Sequence, residues 1–310
     1  MRRYEVAQRS MLPNLHPGDE VVATDSREPR IGDVVVFEHP DRAGFWMIKR
    51  MVAPPEPVEP GEAWVLSDNP AETRADSRAL GAIPRTALRP IVERLDAATF
   101  AEACRLLGDE DPALAKVIER HGIPEFWARR PGFATVVWLI LEQQVSLESG
   151  LAMYRRLTEL VAAVTPARIA QAGESGLRRI GVTRQKTGYL LDLAALVLEG
   201  RLDLEELEDL PLTRARERLL ELRGIGPWTA DVYLLSALRH PDVFPVGDRA
   251  LQVGMAEVLG LGAPPDRDEM LILATPWSPV RAVAARLIWH AYLSTRGRVE
   301  PVAPPTLGSA

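Results

Sequence analysis

Near residue 100 the apolar residues of this chain change their period, and no other feature limits its fold as strongly. Before that point, short alternating or β-rich runs cover Glu20 to Thr24, Asp33 to Glu38, Phe45 to Val52 and Ala63 to Leu66. Turn signals separate them: Pro17-Gly18-Asp19, Arg30-Ile31-Gly32-Asp33 and the proline-rich Pro54 to Pro60. Beyond it, apolar residues recur at helical spacing, as in Ala113 to His121, Phe133 to Val145, Leu151 to Val164, Lys186 to Leu198, Arg214 to Leu222 and Val280 to Ser294. The pattern predicts a multidomain chain: an N-terminal all-β domain over residues 1–95 and an all-α domain over 100–298. The segment 299–310, rich in proline and small residues, is expected to be a disordered tail.

A hydrophobic share of 46% over 310 residues supplies a core for each domain. No apolar stretch reaches the roughly 18 residues that a bilayer span needs, and no apolar run follows Arg2 and Arg3, so neither membrane segment nor signal peptide is expected. A single cysteine, Cys104, rules out a disulfide framework, a zinc ribbon or a four-cysteine iron–sulfur site within the chain, and a cytoplasmic protein is expected. The net charge of −6 speaks against a broadly basic nucleic-acid binder. Thirteen basic residues face 16 acidic ones through position 98, and 24 face 27 afterwards, so contact with DNA must rest on a local patch and on backbone amides. Only Lys49, Lys116 and Lys186 among the 37 basic residues are lysines. A lysine kept in an arginine background points to a need for a titratable amine.

In the helical half the most informative segment is Leu222-Arg-Gly-Ile-Gly-Pro-Trp-Thr-Ala230. An amphipathic helix ends at Gly224-Ile225-Gly226, and Pro227 opens the next helix at its favoured first position. Two glycines around one apolar anchor make a tight hairpin whose backbone N–H groups can approach a phosphate beside a helix N-terminus, gripping DNA without arginines. Asp248 follows in Val243-Phe-Pro-Val-Gly-Asp-Arg249, ahead of the apolar helix Ala250 to Leu259. Its position suits a helix N-cap, a catalytic carboxylate, or both. Trp138, Trp228, Tyr233, Trp277, Trp289 and Tyr292 are either core or walls of an aromatic recess.

Over about Asp111 to Gly297 the chain resembles the helix-hairpin-helix DNA glycosylases, and within them the bacterial alkylpurine, 3-methyladenine type II, branch. The resemblance is carried by Gly132-Phe-Ala-Thr-Val-Val137, Leu141-Glu-Gln-Gln-Val-Ser146, Gly181-Val-Thr-Arg-Gln-Lys-Thr187, the hairpin, Phe244-Pro-Val-Gly-Asp248 and Arg286-Leu-Ile-Trp289. It implies an all-α helix-hairpin-helix domain that excises alkylated bases from double-stranded DNA. By the same resemblance Asp248 is catalytic, Gly224, Gly226 and Thr229 bind the DNA backbone, and Trp228, Trp289 and Tyr233 form the base pocket. Gln143 and Gln144 fall where relatives enter the duplex, although polar residues closing a helix would look alike. Val232 stands where some relatives place a pocket tyrosine. Lyase members carry a lysine at the position of Trp228, and no lysine follows Lys186, so a monofunctional enzyme is implied. No cofactor or catalytic metal is expected, the one candidate ion being a monovalent cation at the hairpin. A nucleoid-associated location accords with this reading.

The first half carries Ser10-Met-Leu-Pro-Asn-Leu15, then Lys49 in Met47-Ile-Lys-Arg-Met51, then Leu66-Ser-Asp-Asn followed by Asp76-Ser77-Arg78. Apolar neighbours Phe45, Trp46, Met47, Ile48 and Met51 can lower the pKa of a buried lysine, although an exposed strand lysine would fit the same run. Residues 8 to about 90 resemble type I signal peptidases and their soluble relatives, among them maturation proteases for nickel superoxide dismutase. That resemblance implies a peptidase-like domain with Ser10 as nucleophile, Lys49 as general base and Asp76, Ser77 and Arg78 in support. The Gly-Asp-Asn usual there reads Ser67-Asp68-Asn69 here. Three readings follow: an alkylbase glycosylase with an appended peptidase-like domain; a cytosolic maturation or self-cleaving serine–lysine protease, acting on a protein substrate, with a DNA-binding helical module; and a DNA scaffold without chemistry.

Overall fold

The computed structural model describes residues 1–73, 75–126 and 129–298, and the tail expected over 299–310 lies outside the described residues. The chain divides into two compact units, Met1–Glu110 with Trp277–Val280, and Asp111–Pro276 with the segment from Arg281.

The first unit is built on strands β1 (Arg2–Glu5), β2 (Glu20–Ala23), β3 (Val34–Glu38), β4 (Trp46–Val52), β5 (Glu62–Leu66), β6 (Ile83–Pro84) and β7 (Arg89–Pro90). Antiparallel pairing gives the order β6-β5-β4-β3-β7, and β1 and β2 form a separate ribbon. Side chains alternate between sheet faces. Val35 and Phe37 therefore join Met47, Met51 and Val65 on one side, while Val34 and Val36 join Met11, Val21 and Ile91 on the other. Being covered on both faces explains why β3 reads as an unbroken apolar run rather than an alternation.

The unit departs from the expected all-β domain. Helix α1 (Ser77–Leu80) is capped by the Asp76 carboxylate, and α2 (Ala97–Glu110) groups with the strands although its period matches the helical half. Polar links account for this. Glu102 accepts from the Thr24 hydroxyl and lies 3.7 Å from the N-terminal ammonium, while Arg3 meets Glu110 at 2.7 Å.

The second unit comprises α3 (Pro112–His121), α4 (Phe133–Glu142), α5 (Leu147–Val161), α6 (Pro166–Arg179), α7 (Arg184–Leu198), α8 (Leu212–Leu220), α9 (Pro227–Ser236), α10 (Arg249–Leu259), α11 (Arg267–Ala274) and α12 (Arg281–Ser294). Helices apolar all round belong in a core. In α4 every residue from Thr135 to Glu142 is buried, as is every residue from Thr229 to Ser236 in α9. Helix α9 packs on α4 and α8, and α12 packs on α3 and α10. The run expected to extend to Val145 stops at Glu142, where Gln143 turns out of helical geometry at φ −58 and ψ 127. The next helix begins at Leu147, ahead of the expected Leu151, because Ser146 caps it.

Closeness of α10 and α12 depends on Gly254. A Cβ there would stand 2.7 Å from Ile288 Cγ2 and 3.2 Å from the Ile288 carbonyl. Gly254→Val should lower stability by about 1–3 kcal/mol through overpacking, read as a shift of the urea midpoint. A variant as stable as wild type would show that the two helices part without strain.

Candidate functional site

Asp248 is the N-cap of α10, and its Oδ1 accepts from Leu251 N at 2.7 Å. The same oxygen accepts from Trp289 Nε1 at 3.0 Å, and Oδ2 accepts from Trp228 Nε1 at 2.8 Å. Three elements thus converge on one half-buried carboxylate: α10 by its own first turn, α12 through Trp289 and α9 through Trp228. Oδ1 has both lone pairs engaged, whereas Oδ2 keeps one acceptor direction open. The loop before it also packs closely, with a Cβ at Gly247 set to lie 3.8 Å from Trp228 Cβ and 3.7 Å from the Arg267 guanidinium.

The hairpin lies directly before Trp228, between α8 and α9. Gly224 has φ +87, and a Cβ there would sit 2.3 Å from the Tyr189 ring, so both backbone and packing demand glycine. Gly226 has φ −93, and a Cβ would meet nothing within 4 Å. Folding does not need glycine at 226, and leaving the position bare keeps an approach to the backbone open. Helix α9 starts without a side-chain cap. Its first-turn N–H groups at Gly226 and Trp228 therefore have no intrahelical acceptor and face the anion-favouring end of the helix dipole. The Leu222 carbonyl accepts from Ile225 N and the Gly224 carbonyl from Gln143, so two of the hairpin's oxygens are already engaged by protein donors.

Other expected residues fall differently. Tyr233 is 1% exposed and its hydroxyl accepts from Gly132 N at 2.8 Å, which makes it a core residue and not a pocket wall. Val232 beside it is buried too. Trp138 packs against Tyr154 at 4.7 Å beneath the Arg129 guanidinium, and Trp277 is buried. Tyr292 lies under Arg296. Gln143 does not project outward: its Nε2 donates to Gly224 O at 2.8 Å and to Thr229 Oγ1 at 2.9 Å. Gln144 is exposed at φ 57. Sequence reasoning assigned no role to Lys186, although its rarity marked it. The ammonium donates to the Leu141 and Gln143 carbonyls at 2.7 and 2.8 Å, closing α4.

In the first unit Lys49 lies on the inward face of β4 between Met47 and Met51, 4% exposed, and not on a solvent face. Its Nζ donates to Ser10 Oγ at 3.1 Å and to Ile48 O at 2.9 Å. Burial pulls the amine down to about 8, against the opposing charges of Asp76 and Asp68. Ser10 is held in place by its carbonyl, which accepts from Asn69 N, while Asn69 Nδ2 donates to Arg9 O. Burial alone would raise the Asp76 carboxyl, but hydrogen bonds from Arg78 and Ser67 outweigh it and hold the group at about 2. Ser77 Oγ accepts from Val65 N. Asp76, Ser77 and Arg78 thus brace β5, the neighbour of the lysine's strand, and of these three the Asp76 charge is the one that acts on Lys49.

Comparison with known proteins bears on both units. The model of the signal peptidase, peptidase S26 family matches residues 1–59, a span that holds Ser10 and Lys49 and ends before Ser67. The model of the HhH-GPD superfamily base excision DNA repair protein matches residues 137–279. The chain is 29% identical over 181 residues to a DNA-3-methyladenine glycosylase of Bacillus subtilis, covering 54% of this chain and 58% of that one. It is 31% identical over 125 residues to a putative DNA-3-methyladenine glycosylase of the same organism, covering 40% and 44%. The chain thus spans about half the length of these curated relatives. A crystal structure of a DNA-3-methyladenine glycosidase from Bacillus halodurans superimposes with a TM-score of 0.54 at 29% identity, over 63% of this chain and 91% of that one. The Schizosaccharomyces pombe 3-methyladenine DNA glycosylase in complex with abasic DNA shares the fold, with a TM-score of 0.55 at 22% identity over 61% and 95%. Over residues 137–279, where the hairpin and Asp248 lie, the helical unit is similar to the HhH-GPD superfamily of base excision DNA repair proteins.

Proposed function

We propose that the helical unit is a monofunctional DNA glycosylase that hydrolyses the N-glycosidic bond of alkylated bases of the 3-methyladenine and 7-methylguanine class in base-excision repair. The observation that carries this is the Asp248 carboxylate, fixed by two indoles and an N-cap bond beside the hairpin. As the base leaves with the bond's electron pair, positive charge grows on the deoxyribose, and water then adds to C1′. A carboxylate already oriented by three donors meets that charge without reorganising. Oδ2, with its open acceptor direction, is the oxygen available to sugar or water. Both indole N–H groups are engaged with Asp248, so what the rings offer a base is stacking. Stacking attracts a cationic, electron-poor purine more than a neutral one. An alkylated purine is already a good leaving group and needs little acid assistance.

No lysine follows Lys186, whose ammonium is held by two carbonyls, and Trp228 stands where a lyase would need an amine. The product is therefore an uncut abasic site. Double-stranded DNA is the partner, held by the Gly224–Gly226 hairpin with Thr229 behind it.

A second reading concerns the first unit, and the 3.1 Å contact between Lys49 and Ser10 favours it. We infer a serine–lysine acyl-transfer site acting on a protein substrate or on the chain itself. Ser10 Oγ attacks the scissile carbonyl, Lys49 takes its proton and returns it to the leaving amine, and water then hydrolyses the ester.

Asp248→Asn should release methylated bases at least about 100-fold more slowly. Asn keeps the helix cap but turns an NH2 toward the Trp228 N–H, which loses its acceptor, so a modest drop in melting temperature accompanies the loss of rate. Full activity would remove Asp248 from the mechanism. Trp228→Phe and Trp289→Phe, which keep a ring but lose the donor, should each slow release about tenfold; unchanged rates would show that the carboxylate is held without them. For the second site, acylation of the chain by a serine-reactive agent, followed by intact mass, should rise as pH passes through about 8. The neutral, reactive amine dominates above that value. Loss of the adduct in Ser10→Ala and in Lys49→Met is expected, and equal labelling of all three proteins would end that reading.

A further inference from the structure

The loop after α4 and the hairpin share one platform. Lys186 on the first turn of α7 donates to the Leu141 and Gln143 carbonyls at 2.7 and 2.8 Å. Gln143 then donates from Nε2 to the Gly224 carbonyl at 2.8 Å and to Thr229 Oγ1 at 2.9 Å. One turn along α7 from Gln185, Tyr189 supports Gly224 from beneath and accepts from Gln185 Nε2 at 2.6 Å. Beyond this brace the chain emerges as an exposed tip: Gln144 at φ 57, Val145 at 47% exposure, and Leu147 at 39%. Ser146 fastens the far side by capping α5. A non-glycine residue at positive φ is held there only when its surroundings over-determine it.

Resting on the glycosylase reading above, we propose that Lys186 and Gln143 are positioning residues that set the spacing between the Gln144 tip and the Gly224–Gly226 hairpin. The tip enters the duplex while the hairpin holds the backbone, and the brace makes the two act as one tool. Gln143 cannot itself be the entering residue without breaking both of its hydrogen bonds. A bound base must be unstacked and unpaired before its sugar can face Asp248, at a cost of a few kcal/mol. Slack of about 1 Å between the part that fills the gap and the part that grips the strand costs roughly 100-fold in rate. The brace therefore matters for opening a paired lesion and not for bond cleavage.

The test measures single-turnover base release from two DNAs with the same methylated purine. In one the lesion is paired in a duplex; in the other it lies opposite an abasic gap, where opening costs little. Gln143→Leu and Lys186→Met should slow release roughly 10- to 100-fold on the paired lesion and less than about threefold on the unpaired one. Gln144→Ala should show the same split, because the brace acts through it, whereas Asp248→Asn should lose rate equally on both. Equal losses on the two DNAs for Gln143→Leu and Lys186→Met, or no loss on either, would overturn the brace while leaving the glycosylase intact. Wild type that releases no base from either DNA would overturn the glycosylase reading and the brace with it. Thermal melting within a few degrees of wild type confirms that each variant is folded, and either of the two bracing variants suffices for the comparison.

Discussion

Asp248 stands where three helices meet, and its two oxygens are what they share. Leu251 N, Trp289 Nε1 and Trp228 Nε1 all point at it. A half-buried anion needs donors, and here those donors come from the first turn of its own helix, from α12 and from α9. The arrangement aims the carboxylate, anchors both indoles and ties the hairpin's second helix to α10 through one charge. It also depends on α10 lying against α12 at Gly254, where no side chain separates them.

The hairpin reaches the same end by different means. Net charge is negative, so on the proposed reading long-range attraction to a polyanion is weak and any grip is local. An uncapped helix start at Gly226, an open approach and a buried, rigid α9 provide donors that are fixed in direction. Lys186 and Gln143 extend that rigidity to the neighbouring loop. Two of the chain's three lysines are thus placed for quite different purposes. Lys186 is a cation closing a helix C-terminus, while Lys49 is an amine in an apolar strand face beside a serine.

In the first unit Lys49 lies in hydrogen-bond contact with Ser10, and its surroundings explain its lowered amine pKa. Burial between Met47 and Met51 works against the ammonium form, and the Asp76 and Asp68 carboxylates keep it from falling further. Asp76 is itself stabilised as an anion by Arg78 and by backbone N–H groups, and so offers Lys49 charge but no proton acceptor of comparable basicity.

Sequence alone determined the elements whose signals are local. Strands β2 to β5 lie under the alternating or apolar runs, the hairpin lies at Gly-Ile-Gly-Pro, and Asp248 lies at a helix start, because period, turn chemistry and capping act over a few residues. Strands β1, β6 and β7 are too short or too polar to announce themselves, and α2 has a helical period that does not say which unit it joins. Tertiary structure decided which polar atoms meet. Tyr233 and Trp228 are aromatics of one helix, yet burial sends one hydroxyl to Gly132 and the other's indole to Asp248. Gln143 and Gln144 are identical neighbours, yet one braces the hairpin and the other faces solvent, because a single change of backbone direction after Glu142 separates them. Such partners lie 20 to 101 residues apart. No local rule can pair groups at that separation, since only the packed helices bring them within hydrogen-bonding distance.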